Sequence, residues 1–380
     1  MLTGINFSPP LYFLFNFCLQ LVFPTSIEQL RIQSLVFIII GIVLSFLLTR
    51  KMFGTPVAFF ATILVLSQSY LLLSQAQEAR HYAMFFACGA WVLFMTKKNL
   101  DATKESSRIT FLAHLFLCQV HYLGIVFSGF VGISYLLGIK NKSLIARIPK
   151  SLLFAWLISG PSYLFYINSQ ESLLNYWKKP NSFEHLLSSY NESLFYISII
   201  VPIIGLLLFQ KLNKPKKISF HELFSKNRVL FLSSFFWFIT PLAFWTLSHI
   251  SPLNLFVDRY FFPKEVAVIV IVAFFISYIC QNFSDIKSTK LILTSSILLC
   301  LIFISINYKR AAFGLKKEIN YHHSLIFSDE ELQTETNIIL KDDPNYFPNA
   351  YLNGSKFVFD LNDKNLTKIY NDFSSKIKIQ

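Results

Sequence analysis

Residues 74–82 read Ser-Gln-Ala-Gln-Glu-Ala-Arg-His-Tyr and join two long apolar runs. They set Glu78, Arg80 and His81 within four residues at the edge of a strongly apolar segment. A charged side chain at membrane depth costs roughly 3 kcal/mol or more, so it normally faces a partner, a cavity or a ligand. Two readings fit. Either something charged is held here, or this is an interfacial loop whose Glu78 and Arg80 pair with each other.

The flanking chain decides the class. Of 380 residues, 54% are hydrophobic, 14% are charged and 42 are Phe, with a mean hydropathy of +0.50. A soluble domain of this size needs far more polar surface, so the composition points to an all-α polytopic membrane protein. The formal charge of +13 does not indicate nucleic acid. Most Lys and Arg lie in short loops between apolar runs, where charges set topology. Cys18, Cys88, Cys118, Cys280 and Cys300 all sit inside apolar runs without CxxC spacing, which reads as buried small side chains. The histidines form no HExxH pair, so no dedicated metal site is indicated.

Uncharged runs long enough to cross a bilayer occupy 32–49, 52–77, 81–96, 151–170, 194–210, 229–248 and 291–308, with another over 266–280 that carries Pro263, Lys264 and Glu265 near one end. Residues 11–23 lie between Pro10 and Pro24 and reach only about 20 Å as a helix, short of a core of about 30 Å. This predicts an interfacial helix over 9–24, started by Pro. Residues 109–139 contain no formal charge and would span about 46 Å as one helix. Lys97, Lys98, Lys104 and Arg108 precede them; Lys140, Lys142, Arg147 and Lys150 follow. Both ends therefore face the cytoplasm, which requires two short helices turning near His121-Tyr122-Leu123-Gly124.

The same rule places Arg50-Lys51, the 211–228 loop and Lys287/Lys290 on the cytoplasmic side. About ten crossings result, with both termini outside. Residues 1–308 form the membrane domain. The polar stretch 309–380, with alternating patches such as Phe357-Val358-Phe359-Asp360-Leu361, reads as a small non-cytoplasmic appendage with weak strand signals. This topology gathers Ser8-Pro9-Pro10, Gln75 to Tyr82, His121-Tyr122 and Asp258-Arg259-Tyr260 at the outer ends of apolar runs. Apart from Arg31, and Arg310 at the start of the appendage, Arg80 and Arg259 are the arginines of this face. Guanidinium forks suit phosphate oxygens, so the pair could grip a lipid phosphate, or snorkel and pair with Glu78 and Asp258. His121 reads as a buried structural residue unless it lines the outer cavity. Tyr176-Trp177 fits either sugar stacking or an interfacial aromatic belt.

In this order, SPPLYFLFNF (8–17), RIQSLVFIIIGIVLSFLLTRKMFG (31–54), LLLSQAQEARHYAMFF (71–86), HYLG (121–124) and FVDRYFFP (256–263) resemble the GT-C-fold membrane glycosyltransferases. The similarity is to the bacterial branch related to dolichyl-phosphate-mannose protein mannosyltransferases and aminoarabinose transferases. It implies a multi-pass inner or plasma membrane enzyme using a polyprenyl-phosphate-linked sugar on the outer face. An acceptor hydroxyl on a lipid, glycan or protein would attack the anomeric carbon with inversion, a carboxylate acting as base. Arg80 and Arg259 would hold the phosphate with Tyr82 and Tyr260 nearby, and His81, His121 and Tyr122 join them as candidates. No cofactor is implied, and a divalent cation stays open.

Two departures stand out. Ser8 occupies the place where such proteins often carry His or Lys. Family members also begin with a further helix and an acidic outer loop that supplies the base, and Met1 to Phe7 contains neither Asp nor Glu. A general base must lie within hydrogen-bond reach of the nucleophile. The expectation is that a segment ahead of Met1 is missing; on this chain Glu78 and Asp258 are the weak substitutes. Rival readings are a lipid-linked sugar transporter and an inactive homologue that binds the lipid carrier.

Overall fold

The computed structural model describes residues 10–22, 27–69, 72, 80–102, 106–139, 148–169, 182–190, 220–250, 256 and 258–282. All belong to the first of two compact units, Met1–Tyr308. Among the described residues there are helices and no strand. The apolar runs expected over 194–210 and 291–308, the Tyr176-Trp177 pair, and the appendage over 309–380 lie outside them.

Helix α1 (Leu11–Gln20) begins at Pro10, whose backbone is already helical and whose carbonyl accepts from Leu14 at 2.9 Å. Tyr12 turns inward, whereas Leu14 and Phe17 stay exposed, leaving an apolar outer surface. The inner face docks on α2 (Ile27–Phe53) through Gln33, which donates to Asn16 at 2.7 Å, and through Phe15 beside Phe37 at 5.4 Å. Arg50 and Lys51 occupy the last turn of α2, where cations complement the helix dipole. The chain then breaks at Gly54, whose φ of 89° suits a residue without Cβ, and Pro56 helps start α3 (Thr55–Gln68). Within the run expected over 52–77, α3 is cut off from α2 by glycine and ends at Gln68; 70, 71 and 73–77 lie outside the described residues.

The segment after the Glu-Ala-Arg-His-Tyr stretch is the centre of the bundle. Helix α4 (Tyr82–Asp101) is buried nearly all round, from Tyr82 to Lys97, and packs against α2 and α5 (Ser107–Val120). It outlasts the apolar run ending at residue 96 because Lys97 folds onto Asp101, one turn on, at 2.7 Å. Small residues let neighbours approach closely. A Cβ on Gly89 would lie 3.0 Å from Pro263 and 3.4 Å from the Trp237 ring, and one on Gly132 would meet Trp156 at 2.6 Å.

Residues 109–139 form α5 and α6 (Leu123–Gly138), separated at His121-Tyr122. The break is locked from both sides. Gly124 donates to the His121 carbonyl at 2.8 Å, and Tyr163 of α7 (Lys150–Ser169) accepts from Ile125 at 3.1 Å while its hydroxyl donates to the carbonyls of His121 and Tyr122. A Cβ on Gly124 would collide with the Leu117 carbonyl, which is backbone and cannot rotate away. Gly124→Ala is therefore expected to destabilise the protein by about 1–3 kcal/mol, as overpacked sites do, read as a lowered melting temperature in detergent. An unchanged melt would show that the turn is more compliant than this geometry.

The described remainder comprises α8 (Phe183–Ser189), α9 (Phe220–Lys226), α10 (Arg228–Ile250), a 3-10 turn η1 (Asp258–Phe261) and α11 (Lys264–Asn282). Helix α10 packs on α6 and α11, and α11 also meets α2 and α3. Two described helices are long and apolar enough to cross a membrane, Gln29–Phe53 and Arg228–Ile250. Leu11–Gln20, Thr55–Leu66, Ser107–Val120 and Leu123–Gly138 are shorter apolar helices.

Candidate functional site

Three segments far apart in the chain meet at one end of α4. Arg80 and His81 lead into α4, and Tyr82 is its first residue. His121 and Tyr122 form the break between α5 and α6, and Arg259 and Tyr260 lie in η1. The His81 and His121 rings stack at 5.3 Å with 27° between their planes. Tyr260 lies 4.9 Å from His121 and 6.0 Å from Tyr82, and Tyr82 is 4.2 Å from His81. Phe85, one turn along α4, supports His121 from 4.8 Å.

Both arginines act on this cluster. The Arg259 guanidinium sits 5.7 Å from the centre of the Tyr82 ring. The charges of Arg80 and Arg259 both bear on His81, Tyr82 and Tyr260. Each arginine is half-buried, and Nε of Arg259 and Nε2 of His81 are buried without a hydrogen-bond partner among the described residues. Polar atoms in that condition are costly unless something completes them.

The protonation states follow from these neighbours. Burial, then Arg80, then Arg259, hold the His81 imidazole down to about 3. Burial, with His81 beside it, holds His121 well below the usual histidine range. Nδ1 of His121 accepts from the Leu123 amide at 3.1 Å, which places the single ring proton on Nε2. Burial raises the Tyr260 phenol above its ordinary value, opposed by Arg259 and Arg80. At neutral pH the cluster thus holds two guanidinium cations among uncharged imidazoles and phenols.

The remaining candidates are placed as follows. Asp258 contributes backbone to η1; its side chain, like all of Glu78 and Ser8, lies outside the described residues. Tyr122 stands 6.5 Å from His121 and edge-on to Tyr163 at 5.8 Å, on the flank of the cluster. Three participants escaped the sequence reading as site residues. Tyr12 of α1 sets its ring edge-on to His81 at 5.9 Å, and Pro-Pro-Leu-Tyr was a signal for it. Phe85 and Tyr163 had none, being ordinary aromatics within apolar runs. Among the described residues no group of three or more His, Cys, Asp or Glu is arranged to hold a metal.

No protein-family model and no curated protein matches the chain. Among solved structures, it is similar to ArnT from Cupriavidus metallidurans bound to undecaprenyl phosphate, with a TM-score of 0.49 and 17% sequence identity over 91% of this chain. The chain spans 58% of the length of that structure.

Proposed function

We propose that this protein is a multi-pass membrane glycosyltransferase that moves a sugar from a polyprenyl-phosphate carrier to an acceptor on the outer face, with inversion. The observation that carries this reading is the gathering of Arg80 and Arg259 over one cluster of uncharged aromatic rings, with the buried Arg259 Nε–H and the His81 Nε2 left unpartnered among the described residues. Guanidinium groups beside neutral imidazoles and phenols favour an anion, and their forked donors match phosphate oxygens. The two membrane-length helices and the exposed apolar side chains of α1 suit a carrier whose tail stays in the bilayer.

In the proposed reaction the acceptor hydroxyl attacks the anomeric carbon and the bond from that carbon to the phosphate oxygen breaks. The carrier leaves as a polyprenyl phosphate monoester, and the hydroxyl proton passes to a carboxylate, for which Glu78 and Asp258 are this chain's candidates. Arg80 and Arg259 act on the leaving group, where negative charge builds up as the bond breaks. Their positions are set before substrate arrives by α4 and η1, so little reorganisation is needed.

The test is a comparison of two lipids of equal chain length. Purified protein in nanodiscs is expected to bind undecaprenyl phosphate at least tenfold more tightly than undecaprenol, measured by native mass spectrometry. Equal binding of phosphate and alcohol would strip the arginine cluster of its role as a phosphate clamp.

A further inference from the structure

Next to the arginine turn lies a charged pair sealed from solvent. Lys264 and Glu265 open α11, and their side chains are only 1% and 2% exposed. The Lys264 ammonium stands 3.3 Å from Glu265 Oε1 and 5.3 Å from the centre of the Tyr190 ring, and it donates to the backbone carbonyl of Ser189, 75 residues away in the chain. A buried ammonium is costly unless its charge is balanced and its N–H groups are used. Glu265 balances the charge but is the adjacent residue, so that pair ties nothing distant together. The bond to Ser189 does.

Ser189 is the last residue of α8, which is held at two further points. Trp245 of α10 donates to the Ser182 carbonyl at 3.3 Å just before α8 begins. Beyond its end, the Tyr190 hydroxyl donates to the Phe238 carbonyl at 2.9 Å and accepts from the Leu242 amide at 3.3 Å. Phe238 and Leu242 are each other's normal partners one helical turn apart, so Tyr190 is inserted into the α10 ladder beside Pro241. Helix α8 also packs on η1, and Leu186 is buried in the same apolar cluster as Phe256 and Phe261. The element carrying Arg259 and Tyr260 is therefore backed by α8.

We propose that Lys264 is a positioning residue: its buried ammonium fastens the Ser189–Tyr190 end of α8 to the start of α11 and so holds the Asp258–Phe261 turn in place. The consequence for anion binding rests on the function proposed above; the clasp itself does not. Lys264→Met removes the clasp and leaves Glu265 unbalanced. The paired variant Lys264→Met/Glu265→Gln removes the clasp without leaving a lone charge, which guards against misfolding.

Hydrogen–deuterium exchange of the protein in nanodiscs, without ligand, tests the clasp. In both variants, peptides covering 183–190 and 258–262 are expected to exchange at least tenfold faster, with 107–138 unchanged. Wild-type exchange in either segment, or recovery in the paired variant, would overturn the proposal. A second arm compares undecaprenyl phosphate with undecaprenol. The clasp predicts about a tenfold loss of preference for the phosphate with binding of the alcohol unchanged, and Lys264→Arg restores part of it. Equal weakening of both lipids would mean a general structural role and sink the positioning claim. Failure of the wild type to discriminate the lipids would count against the proposed function, while the exchange result would still decide the clasp.

Discussion

The Arg80→Ala/Arg259→Ala double variant is expected to bind undecaprenyl phosphate at least ~100-fold more weakly than the wild type, with undecaprenol binding unaffected. Each hydrogen bond to a charged group contributes about 1.5–3 kcal/mol, and each 1.4 kcal/mol is a factor of ten, so each single variant is expected to lose about tenfold or more. The ~100-fold figure is the product of the two single losses, and because both charges act on His81, Tyr82 and Tyr260 a departure from that product measures their coupling. Arg259→Lys keeps the charge but loses the fork and its contact with the Tyr82 ring, so it should fall between wild type and Arg259→Ala. Tyr82→Phe separates orientation from charge. It removes the hydroxyl but keeps the ring against which Arg259 lies, and a smaller loss is expected. A double variant with wild-type affinity would show that the phosphate, if bound at all, is held elsewhere.

How far the fold could be read from the chain depended on which signal each segment carried. The break in 109–139 was legible because flanking lysines and arginines demanded an even number of passes, and the helices do part at His121-Tyr122. The end of α3 was not, since apolar residues continue past Gln68 and hydropathy does not register where a helix stops. Nor did hydropathy show that Lys97 would extend α4 by folding onto Asp101. In the candidate site, Arg80, His81, Tyr82, Arg259 and Tyr260 could be singled out as charge beside aromatic at the end of an apolar run, and the structure brings them together. What the sequence could not express was how they meet. The stacking of His81 on His121, the support from Phe85 and the staple from Tyr163 join residues tens of positions apart through ordinary aromatics. The Lys264 clasp was hidden for the same reason: its partner is a backbone carbonyl, and carbonyls have no sequence signature.

Trp237→Ala is expected to destabilise the protein by about 3–5 kcal/mol, more than Gly124→Ala, because it empties a fully buried site where three helices meet. Trp237 lies on α10, is completely buried, donates from Nε1 to the Phe127 carbonyl of α6 at 2.8 Å, and packs edge-on to the Phe127 ring at 5.2 Å. On its third side stands α4 at Gly89, where a Cβ would come within 3.4 Å of the indole. In the membrane setting proposed above, the hydrophobic effect does not drive helices together, so contacts of this kind carry most of the association. Trp237→Phe keeps much of the volume and loses the N–H; Phe127 lies within a helix whose own ladder can still use its carbonyl, so a loss of only about 1 kcal/mol is expected. The damage should also reach the arginine cluster. Trp237 touches Phe127, Phe127 meets Phe85 at 5.7 Å, and Phe85 supports His121 at 4.8 Å, so an empty site behind Phe127 loosens the imidazole in front. Unfolding in mixed micelles gives the stability of both variants, and the lipid comparison gives their preference for phosphate. Trp237→Ala should fall in both, Trp237→Phe in stability alone and only slightly. If the two variants were equally stable, the indole would be contributing its hydrogen bond and not its bulk, and the aromatic path from α10 to His121 would lose its physical basis.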